Sequence, residues 1–192
     1  MTSKILTPTQ WDQLRNNLNP YYQIVCDALL HTGLRSDSEF WRFVENPQWY
    51  GSGKIHLPSI SGIQQARTVN LSKEGCEAVE ALIALTRSNN HRKERNSMRD
   101  ALRRAATGDG KVTKIIEGKP TKVDRCGVLE PDGVNAEMLR RTLATWLVTC
   151  CPEKKYEILI SMGMDEENFS QYLGKVFTRK ETEKMRKHLV GW

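Results

Sequence analysis

The sequence predicts a mainly α-helical fold with a small antiparallel β-hairpin, which is an α+β class. Over most of the chain, apolar residues recur every three or four positions, as they do on the buried face of an amphipathic helix. Two short segments, 54–58 and 66–71, are instead alternating and β-branched, and only seven residues join them. This pattern favours a pair of antiparallel strands. A chain of 192 residues fits a single domain over 1–192.

Composition narrows the class of protein. The 29 Lys and Arg residues exceed the 23 Asp and Glu residues, and the net charge of +6 favours an acidic partner, with nucleic acid the first candidate. Five cysteines without C-x-x-C spacing argue against a disulfide framework and against a zinc site. We therefore expect no metal, no cofactor and reduced thiols in the cytoplasm. No signal peptide or membrane-spanning run is recognisable.

The first half of the chain predicts helices that begin at capping residues or prolines. Their approximate bounds are 7–18, 21–31, 36–44 and 72–87. Arg35 lies in the tight turn after the Thr32-Gly33 stop signal, and Glu39 follows one helical turn later. A loop arginine beside rigid elements is well placed to bind an anion, and a carboxylate can orient it through a charge-assisted hydrogen bond. The alternative is an exposed turn arginine.

Residues 91–104 predict a strongly basic helix, with Met98, Leu102 and Ala105 as its inner face. Such a helix either faces phosphates or is simply solvated. Residues 108–133 are rich in Gly, Lys and Pro, and we interpret them as a long basic loop with at most one strand, over 111–116. The basic residues that we predict to contact DNA are Arg67, Arg92, Lys93, Arg95, Arg99, Arg103, Lys111 and Lys114.

A helix is predicted to begin at Asn135, which is a plausible N-cap. Its apolar face consists of Met138, Leu139, Leu143, Trp146 and Leu147. Arg140 and Arg141 lie beside residues of this face, close to the helix start. A guanidinium held at the edge of a cleft presents a planar fork of N–H donors that suits a phosphate. The alternative is that both arginines point to solvent.

The C-terminal part predicts a helix from Pro152 to about residue 162 that ends at Gly163, then a short helix or turn over 165–173 that contains Tyr172. The last helix, to about residue 189, begins at a capping box, Thr178 to Glu181. Its apolar residues are Met185, Leu189 and Val190. This face docks either on its own domain or on a neighbouring molecule.

Three segments follow one another in an order that is characteristic of one family. They are Thr32-Gly33-Leu34-Arg35, then residues 139–145, then Ser161-Met162-Gly163 followed by Tyr172-Leu173-Gly174. With the strand 67–72 between the first two, the chain resembles the catalytic domain of tyrosine recombinases, the phage-integrase family, from about Leu6 to the end. The segment 40–47 and the Tyr172-Leu173-Gly174 tail are most similar to the archaeal and archaeal-virus branch of that family.

The resemblance implies a site-specific recombinase or integrase that cuts and rejoins double-stranded DNA through a 3′-phosphotyrosyl intermediate, without metal or cofactor. By resemblance, Arg35 and Arg140 bind the phosphate and Tyr172 is the nucleophile, while Arg141 and Lys54 complete the predicted catalytic set. It also implies self-association on DNA through the C-terminal helix. The N-terminal core-binding domain of the family has no counterpart in this chain.

The sequence also departs from the family. Segment 59–66 lacks the lysine that serves the family as general acid, so Lys54, or Lys111 or Lys114, would have to replace it. Glu137, Arg141 and Met164 stand where the family often has histidines. Three alternatives therefore remain: an active or slow strand transferase, a degenerate domain that binds DNA without cutting it, and a helical protein-interaction module whose arginines form structural ion pairs.

Overall fold

The structure is a computed structural model that describes residues 4–60, 65–86, 94–130, 132–170 and 175–192, apart from the side chains of Glu94, Arg95 and Asn168. Three residues with predicted roles, Arg92, Lys93 and Tyr172, lie outside this set, as does the Arg95 side chain.

The described chain has the predicted α+β composition. The helices are α1 Pro8–Asn16, α2 Pro20–Thr32, α3 Trp41–Glu45, α4 Lys73–Thr86, α5 Glu94–Thr107, α6 Ala136–Cys150, α7 Lys155–Met162, α8 Glu166–Ser170 and α9 Arg179–His188. A π-helical turn, Ser36–Phe40, leads directly into α3, so the predicted helix over 36–44 is confirmed. The strands are β1 Tyr50–Gly51, β2 Lys54–Leu57, β3 Arg67–Asn70, β4 Lys111–Ile116 and β5 Lys119–Asp124.

The helix ends follow the capping residues of the sequence. Thr7 and Thr178 each form a complete capping box, and the Asn135 side chain accepts from the Met138 amide at 3.0 Å. Gly33 and Gly163 end α2 and α7 in the left-handed conformation that glycine adopts without strain. These capping contacts join residues no more than a few positions apart, and for this reason the helix ends can be predicted from the sequence.

The predicted β-hairpin is confirmed. β2 pairs with β3 in antiparallel register, from Lys54 opposite Asn70 to Leu57 opposite Arg67, and the short β1 extends this sheet at its other edge. This register points Ile55, Leu57 and Val69 into the core.

The predicted strand over 111–116 is confirmed as β4, but the predicted loop is wrong over 119–124, where a second strand, β5, forms. β4 and β5 form a second antiparallel hairpin whose two-residue turn is Glu117-Gly118, both at positive φ. Two positive φ values in succession match the twist of a tight hairpin. The turn itself lacks the usual Asn-Gly or Asp-Gly pair, and Pro120 is a residue that disfavours a strand.

The core lies between α2 and α6, with α4 and α9 packed against them. Trp146 of α6 is fully buried, and its indole N–H donates to the Leu6 carbonyl at 2.9 Å, which holds the N-terminal segment. Met185 of α9 and Leu189, which directly follows the helix, are buried on this same domain. Val190 is 56% exposed, so its predicted place on the apolar face is wrong. None of the described helices combines the length and apolar character needed to cross a membrane.

Candidate functional site

Three arginines from two distant parts of the chain meet at one cleft. The cleft encloses about 180 Å³ and is lined by Arg35, Glu137, Arg140, Arg141, Gly163, Met164 and Asp165. The predicted pair Arg35 and Arg140 is thus brought together, and Arg141 joins it. Three guanidiniums face two carboxylates here, so the cleft has an excess of positive charge.

Arg140 is the most deeply placed of the three. Its side chain is 7% exposed, and it donates to Glu137 Oε1 at 2.7 Å and to the Met162 carbonyl at 2.8 Å. Its Nε is buried and has no hydrogen-bond partner among the described residues. Burial lowers the pKa of Arg140; Glu137 opposes this shift, and the positive charge of Arg35 adds to it. An anion in the cleft would stabilise this partly desolvated cation.

Arg35 is held by the carboxylate that the sequence placed one turn away. Its Nη1 donates to Glu39 Oε1 at 2.8 Å, and its backbone amide donates to Glu39 Oε2 at 2.9 Å. Its Nη2 donates to the Gly163 carbonyl. The side chain nevertheless remains 37% exposed. It is therefore fixed in direction while still accessible to a ligand.

Glu39 also binds a second arginine that the sequence assigned to DNA contact. Arg67 donates to both carboxylate oxygens at 2.7 Å, and its Nε donates to the Ser161 carbonyl at 3.0 Å. The Arg67 side chain is only 7% exposed. Because its donors are used inside the protein, we assign Arg67 to positioning Glu39 rather than to a phosphate.

The electrostatics of Glu39 follow from these contacts. Burial alone would raise the pKa of the carboxyl group. The hydrogen bonds from Arg67 and from the Arg35 amide, with the charges of both arginines, outweigh burial and hold the pKa of Glu39 below its usual range. The buried carboxylate is therefore ionised at neutral pH.

The C-terminal end of α7 provides hydrogen-bond acceptors for Arg35, Arg67 and Arg140. The consecutive carbonyls of residues 161, 162 and 163 accept from Arg67, Arg140 and Arg35, respectively. Carbonyls at a helix C-terminus lack intrahelical partners and carry the negative end of the helix dipole, so they suit cations. Gly163 is needed at this point, since its φ is 60° and a Cβ would lie 3.0 Å from Arg67 Cζ.

Glu137 is one of the two carboxylates in this cleft whose charge opposes the binding of an anion. It accepts the 2.7 Å hydrogen bond from Arg140, and its Oε1 lies 3.8 Å from Arg141 Nε. The carboxylate is thus neutralised by two arginines and orients at least one of them. The repulsion that this carboxylate would otherwise exert on an anion is therefore compensated locally.

The other predicted basic residues that the structure describes do not line the cleft. Lys54 is exposed on β2 and borders a different pocket, beside Lys73 and Trp192. Arg99 and Arg103 are exposed on α5, and Lys111 and Lys114 lie on the β4–β5 hairpin. These residues lie where a large ligand could contact them, away from the cleft itself.

A second polar cluster, which the sequence did not reveal, joins α2, α4 and α9. His188 Nδ1 lies 2.6 Å from Glu74 Oε2, and His31 Nε2 lies 3.6 Å from the same oxygen. Trp146 stacks on His188 at a centroid distance of 5.5 Å. No local signal predicts this cluster, because its members come from opposite ends of the chain.

His31 makes stability depend on pH. Burial, with smaller contributions from His188 and Arg15, lowers the pKa of His31 to about 3. The unfolded imidazole titrates near 6.5, so the unfolded state binds the extra proton as pH falls below that value. We expect the free energy of unfolding to fall by about 2 kcal/mol from this group between pH 7.5 and pH 5.

Urea denaturation at the two pH values measures this effect. His31→Gln should reduce the pH dependence by about 2 kcal/mol, whereas His56→Gln, which changes an exposed histidine on β2, should not. Equal pH dependence in wild type and His31→Gln would contradict the assignment.

Comparison of the chain with family models, with curated proteins and with solved structures finds no match. The functional interpretation therefore rests on the residues of the site and on their geometry.

Proposed function

We propose that the protein is a DNA strand transferase of the tyrosine recombinase type, acting in site-specific recombination or integration. The single observation that carries the proposal is the convergence of Arg35 and Arg140 on one positively charged cleft. Further support comes from Glu39, which fixes Arg35, and from the order of the sequence segments that resemble the family. By that resemblance, the protein comes from an archaeon or from an archaeal virus and acts on DNA in the cytoplasm.

The cleft suits the chemistry of a phosphodiester. Guanidinium donors on the non-bridging oxygens stabilise charge that grows as phosphorus becomes pentacoordinate. The Tyr172 oxygen attacks phosphorus, its proton passes to a base, and the 5′ oxygen leaves with a proton from an acid. The product is a 3′-phosphotyrosyl bond. A 5′-hydroxyl of another strand then attacks this bond and releases the tyrosine, which requires neither ATP nor a metal.

Proton transfer is the weakest part of this site. No lysine or histidine lines the described cleft, and an arginine keeps its proton in proteins. General acid–base groups contribute about 10²–10⁴-fold to rates of this kind. We therefore expect a slow strand transferase, unless DNA brings a lysine such as Lys54, Lys111 or Lys114 to the leaving oxygen.

Tyr172→Phe tests the proposal directly. A DNA substrate with a nick near the scissile phosphate traps the covalent intermediate, which is then detected as a band that resists SDS. Wild type should form the adduct and Tyr172→Phe should form none, while DNA affinity changes little. Tyr156→Phe, which alters a tyrosine that is 68% exposed on α7, is the matched control and should keep the adduct.

The second candidate is a domain that binds DNA without cutting it. The observation that favours it is Glu137, a carboxylate held by Arg140 and Arg141 at a position where the family often has a histidine. Salt-dependent DNA binding with no adduct in wild type would establish this alternative, since phosphate contacts make affinity fall steeply with salt. Weak, salt-insensitive binding would instead support a protein-interaction module.

Self-association on DNA through the C-terminal helix is also part of the proposal. Met185 and Leu189 pack on their own domain, so contacts between protomers would use the exposed residues of this region, such as Val190. Val190→Asp should then weaken assembly on DNA without affecting binding of a single copy, as measured by analytical ultracentrifugation with a DNA site.

A further inference from the structure

A pocket bordered by α1, α2, α4 and α9 carries the opposite charge to the rest of the molecule. It encloses about 420 Å³, and its lining includes one cation, Arg15, and four carboxylates: Asp12, Asp27, Glu74 and Glu77. Arg15 is bound to Asp27 through contacts of 2.7 and 2.9 Å, which leaves the other carboxylates in excess. In a chain with a net charge of +6, a pocket of this kind favours a cation.

Three side chains in this pocket can share one metal ion. One ligand atom from each of His31, Glu74 and His188 lies within 4.8 Å of the other two. A tetrahedral ion with ligands at about 2.1 Å places them about 3.4 Å apart. The 3.6 Å separation of His31 Nε2 and Glu74 Oε2 is close to this value. The separation of His188 Nδ1 and Glu74 Oε2, 2.6 Å, would have to increase on metal binding. His188 lies in the last turn of α9, where such a shift involves only the end of the helix.

His31 provides an independent reason to expect a ligand. It is 5% exposed, and its Nε2, not its Nδ1, is the nitrogen that is directed at Glu74 and would bind the ion. Its Nε2 faces Glu74 at 3.6 Å, which is too long for a hydrogen bond. Buried polar atoms are nearly always satisfied, and a neutral imidazole nitrogen is a preferred ligand of zinc and related metals.

We propose that His31, Glu74 and His188 form a binding site for a divalent transition metal of the zinc class, which fastens α9 to α2 and α4. Two imidazoles and one carboxylate select such a metal over Mg²⁺ or Ca²⁺, which prefer oxygen ligands. The fourth position opens into the pocket, where water would complete the coordination. The site shares no residue with the arginine cleft, so it does not depend on the proposed function.

Metal titration of the full chain, first stripped with EDTA, tests this site. Zn²⁺ is titrated in competition with a chromophoric chelator, and we expect one ion per chain. His188→Gln and Glu74→Gln should each weaken binding by at least about 10-fold, because even the loss of an outer-shell partner costs that much. His56→Gln removes an exposed histidine outside the pocket and should bind zinc like wild type.

Two further readouts distinguish this site from the cysteines and from misfolding. Co²⁺ should give tetrahedral d–d absorption without a thiolate charge-transfer band. Zn²⁺ should raise the melting temperature of wild type but not of His188→Gln, whose circular dichroism should otherwise match wild type. The proposal is overturned if wild type does not bind zinc, if binding survives both ligand substitutions, or if the cobalt spectrum shows a thiolate.

Discussion

Replacing Glu39 by glutamine should destabilise the protein by about 3–5 kcal/mol, the usual cost of removing one partner from a buried ion pair. The carboxylate is fully buried and accepts from two arginines and a backbone amide. Glutamine has one acceptor oxygen, and its amide group would direct N–H donors at the donors of Arg67 or Arg35. Arg67, with an exposed fraction of 7%, would lose its counter-charge without gaining water.

Urea denaturation at pH 7.5 measures this cost. Glu45→Gln, at an exposed glutamate that ends α3, is the control and should change stability by no more than about 0.5 kcal/mol. If Arg67 is the main partner, Glu39→Gln combined with Arg67→Met should be less destabilised than the sum of the single changes. A loss below about 1 kcal/mol for Glu39→Gln would show that the buried network is not formed as described.

Under the proposed function, replacing Arg140 by lysine should lower the rate of adduct formation by about 10²–10³-fold, the size of effect seen when one donor to a developing oxyanion is removed. Lysine keeps the charge but lacks the planar fork, so it cannot hold Glu137 and the Met162 carbonyl while also donating to a phosphate. DNA affinity should fall far less, because the proposed DNA contacts include many other basic residues.

Single-turnover kinetics on the nicked substrate separates the rate from binding. Arg179→Lys is the matched control, since its side chain is 94% exposed and pairs only with Glu183 among the described contacts. A second readout does not require cleavage: inorganic phosphate should raise the melting temperature of wild type more than that of Arg140→Lys. Equal stabilisation of both would contradict an anion site at this cleft.

Much of the fold can be predicted from the sequence. Capping residues such as Thr7, Asn135 and Gly163 determine helix ends through contacts within a few positions, and apolar periodicity determines which face is buried. The strand β4 was predicted, but β5 and its pairing with β4 were not, because the Glu-Gly turn between them carries a weak signal. Val190 was misassigned because the helix ends before it, so the periodicity no longer applies there.

The same distinction between local and long-range contacts applies to the candidate site. The sequence by itself determined that Arg35 follows a helix stop, that Glu39 lies one turn away, and that Arg140 lies beside buried residues of α6. Only the tertiary structure decided that Arg67 binds Glu39, that three consecutive carbonyls of α7 hold three arginines, and that His31 meets His188. Local hydrogen bonding and periodicity depend on neighbours in the chain, whereas these contacts depend on how distant helices pack together.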